Sequence, residues 1–326
     1  MTQSTDVTER AAVADQPEAT EGSDAPTALR LLLRLVIVLA LAVGVGLHLW
    51  YLFHSPINSD ESIVGLMARD ILHGHFVAFY WGQPYGGGEP YVVAVLFALF
   101  GQSALTLSMA PLLLAAVAAV LVWRVACRVA SPALAALAGA LAWLGPDVMT
   151  ANATREYGFR GVTLVCGLAC LLFALRLLDR GPSWVDCAGL GLATGVGWWS
   201  SPEIAYFLIP AGLVVVGALR VHASSATSWL NRLALAVIAF AVGSLPWIWA
   251  NVNSHGASLK PSNFPGGAVS SLNTGFGARL EIFFRLSLLI DLDLRRLVTG
   301  GYLVSGAPGV ALAVVVLTAL AGSLVA

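Results

Sequence analysis

Residues 54–75 read "HSPINSDESIVGLMARDILHGH" and follow a long apolar run over residues 31–53. A helix needs about 20 apolar residues to cross the hydrocarbon core of a bilayer, and the run supplies them. The chain thus leaves a membrane near His54, and two adjacent acids, Asp60 and Glu61, fall at the boundary. Asn58, Ser59 and Asp60 are all good helix N-caps, and Ile63, Leu66, Met67 and Ile71 recur at helical spacing until Gly74 ends the pattern. The spacing predicts a short amphipathic helix on the membrane surface, with Asp60 as its N-cap and Glu61 as a first-turn acid facing the helix dipole. A carboxylate here can also meet a lipid-linked substrate and an aqueous acceptor together. Acids beside hydrocarbon are costly unless paired or used, which makes them functional candidates.

The rest of the chain has the same character. Of its 326 residues 58% are hydrophobic and only 11% charged, and the mean hydropathy is +0.82. These values predict an all-α polytopic membrane protein. Spans are expected near residues 31–53, 105–125, 132–149, 160–178, 186–200, 202–219, 233–250 and 301–326, with 90–101 ("PYVVAVLFALFG") too short to cross and placed at the interface. A formal net charge of −1 leaves no basic field to attract nucleic acid. Sixteen arginines against one lysine, with heavy Ala, Leu, Val and Gly usage, suggest a GC-rich bacterial genome and hence a plasma-membrane protein. Cys127, Cys166, Cys170 and Cys187 show no CxxC spacing and read as small hydrophobes.

Residues 1–27 are polar and acidic and cannot build a core, so they read as a disordered cytoplasmic tail rather than a signal peptide. Arg30 and Arg34 precede the first span and put the amino terminus inside. Basic residues are equally numerous on the two sides, but those assigned inside hug short connections, where the rule is strongest. The domain then runs over 28–326, with long polar outer loops at 54–104, 146–159 and 251–300. Loops that carry function are usually the elaborate ones, so the working face is expected to be extracytoplasmic. No charge follows Arg296, and the chain ends within an apolar run, so the protein or its relatives are expected to continue beyond this point.

Three further features of the outer loops carry chemistry. "FYWGQPYGGGEPY" (79–91) holds Gly86 and Gly87 in a run of glycines that allows close backbone approach to a ligand, with Tyr85 able to stack on a sugar and Glu89 as a third acid. It reads equally well as a flexible link. "TREYGFRG" (154–161) puts Arg155, Tyr157 and Arg160 where a span begins. Two guanidinium forks there suit a phosphate, or snorkel to lipid headgroups. His255 and Lys260 lie in a Pro/Gly/Ser-rich stretch of the last loop. His54, His73 and His75 near the acids raise a divalent metal site, but their spacing matches no zinc pattern, and no metal ligand is assigned.

An uncleaved first span, an outer Asp-Glu pair with a surface helix, "GQPYGGGEPYVVAVLFALFG" and then "REYGFR" at the start of a later span form a pattern. It resembles the GT-C integral-membrane glycosyltransferases, specifically the polyprenyl-phosphate-sugar-dependent, protein-mannosyltransferase-like group, over about residues 28–326. The resemblance implies a GT-C-type helix bundle with extracytoplasmic surface helices. It also implies inverting transfer of a sugar from a polyprenyl phosphate to a glycan, lipid or protein acceptor on the outer face. Asp60 matches the catalytic acid of the first-loop motif, with Glu61 orienting the acceptor or capping the helix. Arg155 and Arg160, with Lys260 behind them, are then candidates for the donor phosphate, and Tyr85, Gly86, Gly87, Glu89 and Tyr157 for substrate binding. A flippase for lipid-linked glycan should bury ionisable residues within its spans, whereas these spans are nearly free of charge. A non-catalytic scaffold of the same fold is the other alternative.

Overall fold

A computed structural model describes residues 27–259 except Pro84, Tyr157, Ser224 and Ser225. The expected span at 301–326, the tail before residue 27 and Lys260 lie outside the described residues. The described residues form eleven α-helices: α1 (Thr27–His54), α2 (Ser59–Leu72), α3 (Glu89–Phe100), α4 (Ala104–Ala126), α5 (Pro132–Leu144), α6 (Asp147–Asn152), α7 (Arg160–Arg180), α8 (Trp184–Ser200), α9 (Ala205–Val221), α10 (Ala226–Gly243) and α11 (Leu245–Asn253). No strand occurs among them.

Four helical segments are long and apolar enough to cross a membrane: Ala28–His54, Ala104–Ala126, Arg160–Arg180 and Pro202–Val221. They coincide with four of the expected spans. α10 and α11 supply a fifth only if counted as one span, because they meet at a 59° bend. Ser244 sits at that bend, donating from its hydroxyl to the Phe240 carbonyl at 2.8 Å, and Pro246 starts the next helix without an N–H to extend the ladder. The span expected over 132–149 is also broken. Gly145, at φ +57°, and Pro146 stop α5 and turn the chain into α6. The fifth expected span appears as α8, 17 residues long.

The helices pack in sequence order around α7. α7 lies against α4, α8 and α9; α8 against α10; and α5 joins α4 to α1. The α8–α10 seam is built from small residues. A methyl group on Gly191 or Gly195 would run into the Ala236 or Phe240 carbonyl of α10, so these glycines let two backbones meet, the packing that lipid-embedded helices favour. α1 has few such neighbours. Leu31, Leu35, Val38 and Leu39 are all more than half exposed, a surface suited to lipid and not to water.

α2 and α3 pack on each other and on the start of α4, burying Val64, Met67, Val93 and Leu107 in one apolar cluster. The N-cap of α2 lies two residues earlier than the sequence suggests. Its N-cap is Asn58, whose side chain accepts from the Glu61 N–H at 2.9 Å while the Glu61 carboxylate accepts from the Asn58 N–H at 2.7 Å. This reciprocal capping box leaves Asp60 inside the first turn instead of at the cap.

Candidate active site

The capping box separates the two acids. Glu61 is buried and committed to Asn58. Asp60, one position earlier, is exposed. Its carbonyl accepts from the Tyr80 hydroxyl at 3.4 Å, and its charge, after burial, helps push the Tyr80 phenol up to about 12. Tyr80 in turn fills the space above Gly158, two residues before Arg160. One aromatic side chain thus links the Asp60 turn to the arginine turn.

The glycine-rich stretch is a packed junction. The Gly86 N–H donates to the Ser200 carbonyl at 2.9 Å, with Gly86 at φ +88°. A methyl group on Gly87 would collide with the Ala78 carbonyl. That carbonyl accepts from the Trp199 indole at 2.6 Å. These glycines fix the α2–α3 connection against the end of α8, so the link expected to be flexible is tied down, and Gly86 and Gly87 act through the fold. Tyr85 meets the Phe159 ring edge-on at 5.1 Å. Burial and the Glu203 charge raise its phenol while Arg160 lowers it, which places Tyr85 within the field of both.

Beneath this junction lies a cavity of about 410 Å³. Its polar end carries Glu89, Arg155 and Arg160, with Asn152 beside them. Its walls are apolar: Pro111 to Val122 of α4, Ala142 and Trp143 of α5, Leu164 and Leu168 of α7. The α4 wall covers three helical turns, roughly 16 Å at 1.5 Å per residue. Glu89 is fully buried and accepts from the Val162 N–H at 3.0 Å through one oxygen. Arg155 holds a buried Nε with no hydrogen-bond partner among the described residues. The charged groups of the lining are two guanidiniums and one carboxylate, a net charge of +1.

The structure therefore brings Glu89, Arg155 and Arg160 to one cavity and sets Tyr85 beside Arg160. Asp60 does not line the cavity. Tyr157 and Lys260 lie outside the described residues. Among those described, no three His, Cys, Asp or Glu side chains come together to hold a metal ion. The three histidines near the acids are each engaged separately: His54 with the Trp50 carbonyl, His73 with that of Arg69 and His75 with Asp70.

Two polar residues of this region escaped the sequence reading. His48, in the middle of the first apolar run, is buried, stacks on Trp143 with centroids 4.1 Å apart and lines the cavity. Its Nδ1 donates to the Gly44 carbonyl at 2.7 Å, so this nitrogen carries a hydrogen. A lone ionisable residue within a span was the available signal. Glu156, fully buried beside Arg155, stands in the quoted "REYGFR" without having been singled out.

Fold and composition together define an all-α polytopic membrane protein with an amphiphilic cavity under its surface helices. Residues 88–249 match the family model described as dolichyl-phosphate-mannose-protein mannosyltransferase. Over that stretch the chain is similar to this family, which supports a GT-C-like membrane glycosyltransferase. The matched stretch contains Glu89, Arg155 and Arg160 and begins after Asp60 and Glu61. No curated protein and no solved structure matches the chain significantly.

Proposed function

We propose that the protein transfers a sugar from a polyprenyl-phosphate donor to a hydroxyl acceptor at the extracytoplasmic membrane boundary, with inversion at the anomeric carbon. The observation that carries this reading is the cavity: apolar walls along three turns of α4, with Arg155 and Arg160 in the same lining. A lipid tail matches the walls, and the phosphate of a phosphodiester matches the two guanidiniums of the lining. The unpartnered Arg155 Nε supports the same ligand, because a buried donor without an acceptor costs about 1–3 kcal/mol, a cost that a phosphate oxygen would offset.

In this mechanism the acceptor oxygen attacks the anomeric carbon as the bond from that carbon to the phosphate oxygen breaks. The bonding pair leaves with the phosphate, where Arg155 and Arg160 hold the growing charge. Asp60 takes the acceptor proton. A carboxylate is a weak base towards an alcohol, but it suffices when the transition state is oxocarbenium-like and the proton leaves late. Exposure of Asp60 suits an acceptor arriving from water. Glu61 serves the cap of α2, and Glu89, Tyr85 and Tyr157 are assigned to the substrate side. The family's printed description names mannose, so a mannosyl donor is the first to try.

Membranes containing the protein, supplied with labelled polyprenyl-phosphate mannose, test the reading. Arg160→Gln is expected to raise the donor concentration needed for half-maximal transfer. Full transfer at unchanged donor dependence would remove the cavity from the mechanism.

A further inference from the structure

At the opposite ends of the helices, where α7 stops and α8 and α10 start, a second charged cluster sits outside the cavity. Asp186 is buried at 1% exposure and pairs with Arg176, Oδ1 to Nε at 2.8 Å. Arg232 lies over the Trp184 ring at 5.4 Å from its centroid. No carboxylate pairs with Arg232 among the described residues, and its Nε is buried without an acceptor. One turn away the Trp229 indole is in the same condition: its ring is 3% exposed, and its N–H has no partner.

These are donors only. An indole N–H cannot accept, and a guanidinium cannot lose its proton. Two guanidiniums against one carboxylate leave a net charge of +1 at a place where burial makes an unbalanced cation costly. The missing partner is an anionic acceptor with several oxygens. The surroundings specify its other half: Val185, Leu230 and Trp184 flank the cluster at 67%, 71% and 53% exposure, apolar side chains on a face suited to hydrocarbon, with tryptophan at the membrane boundary.

We infer that Arg232 and Trp229, supported by the Arg176–Asp186 pair, bind the phosphate of an anionic phospholipid in the leaflet opposite the candidate active site. Arg232 supplies charge and a planar fork, Trp229 a single directed N–H, and Asp186 holds Arg176 in place. This site is independent of the sugar-transfer reading.

The test uses the full chain, purified in a neutral detergent and stripped of lipid. Binding of phosphatidylglycerol, phosphatidylcholine and inorganic phosphate is measured by native mass spectrometry and by the shift in melting temperature. Phosphatidylglycerol is expected to bind and raise the melting temperature, and the other two to do so weakly or not at all. Arg232→Gln should weaken phosphatidylglycerol about tenfold, the loss of roughly 1.4 kcal/mol of charge-assisted contact. Trp229→Phe keeps the ring and should weaken it less, which carries the test if Arg232→Gln fails to fold. Arg69→Gln, an exposed arginine on α2, should change nothing. Equal phosphatidylglycerol affinity in wild type and in both variants overturns the site, and binding of inorganic phosphate without phosphatidylglycerol overturns the lipid.

Discussion

Asp60 and Glu61 are neighbours in sequence and unlike in situation. The Glu61 carboxylate closes a capping box and is buried, so Glu61→Ala should cost about 0.5–2 kcal/mol, seen as a lower melting temperature of the detergent-solubilised protein. Asp60 is exposed. Asp60→Asn should leave melting unchanged while transfer falls by about 10²–10⁴, the range for loss of a positioned base. Tyr80 offers a check on their neighbourhood. Its phenol is raised to about 12, first by burial and then by the Asp60 charge, above the ordinary value near 10. The folded state therefore keeps this proton after an unfolded chain has lost it. Stability from Tyr80 is thus intact below pH 10 and declines as pH rises towards 12. Absorbance titration should show Tyr80 among the late-ionising tyrosines, and Tyr80→Phe should remove the component near pH 12.

At the level of elements, the α2–α3 connection and the α8–α10 seam depend on backbone approach. Gly87→Ala places a methyl group against the Ala78 carbonyl that Trp199 holds. It should lower the melting temperature and weaken transfer together, because the α2 acids and the cavity arginines lose their common frame. Gly195→Leu should separate α8 from α10, read as reduced yield of folded protein from membranes. The helices themselves were legible from apolar run length, and the surface helix from its spacing and cap residues. The cap was misplaced by two residues because Asn58, Ser59 and Asp60 all suit that position, and only the return bond from Glu61 decides among them. The break at Ser244 was not legible, since the apolar run continues through it while the backbone turns, whereas Gly145, Pro146 and Asp147 carry turn chemistry that the expected span ran through. The glycine stretch suggested ligand approach or flexibility. Its partners, Ala78 and Trp199, are 121 residues apart in sequence, and no local pattern announces such a contact.

Across the whole molecule, the candidate site is assembled from distant segments: α1 through His48, the start of α3 through Glu89, the wall of α4 and the turn before α7. The arginine pair was visible as a motif, but its position over an apolar cavity needed the fold. Arg155 is the residue where function and stability should part. Its buried Nε has no acceptor, so Arg155→Gln should leave the melting temperature unchanged or higher while donor binding weakens.

The most direct test incubates membranes bearing wild-type protein or Asp60→Asn, at matched folded amounts, with labelled polyprenyl-phosphate sugars and counts label moved to an acceptor. The expected result is transfer by wild type from at least one donor and its loss in Asp60→Asn. Equal transfer by both proteins would remove Asp60 as the base, and no transfer by wild type from any donor would contradict the glycosyltransferase mechanism itself.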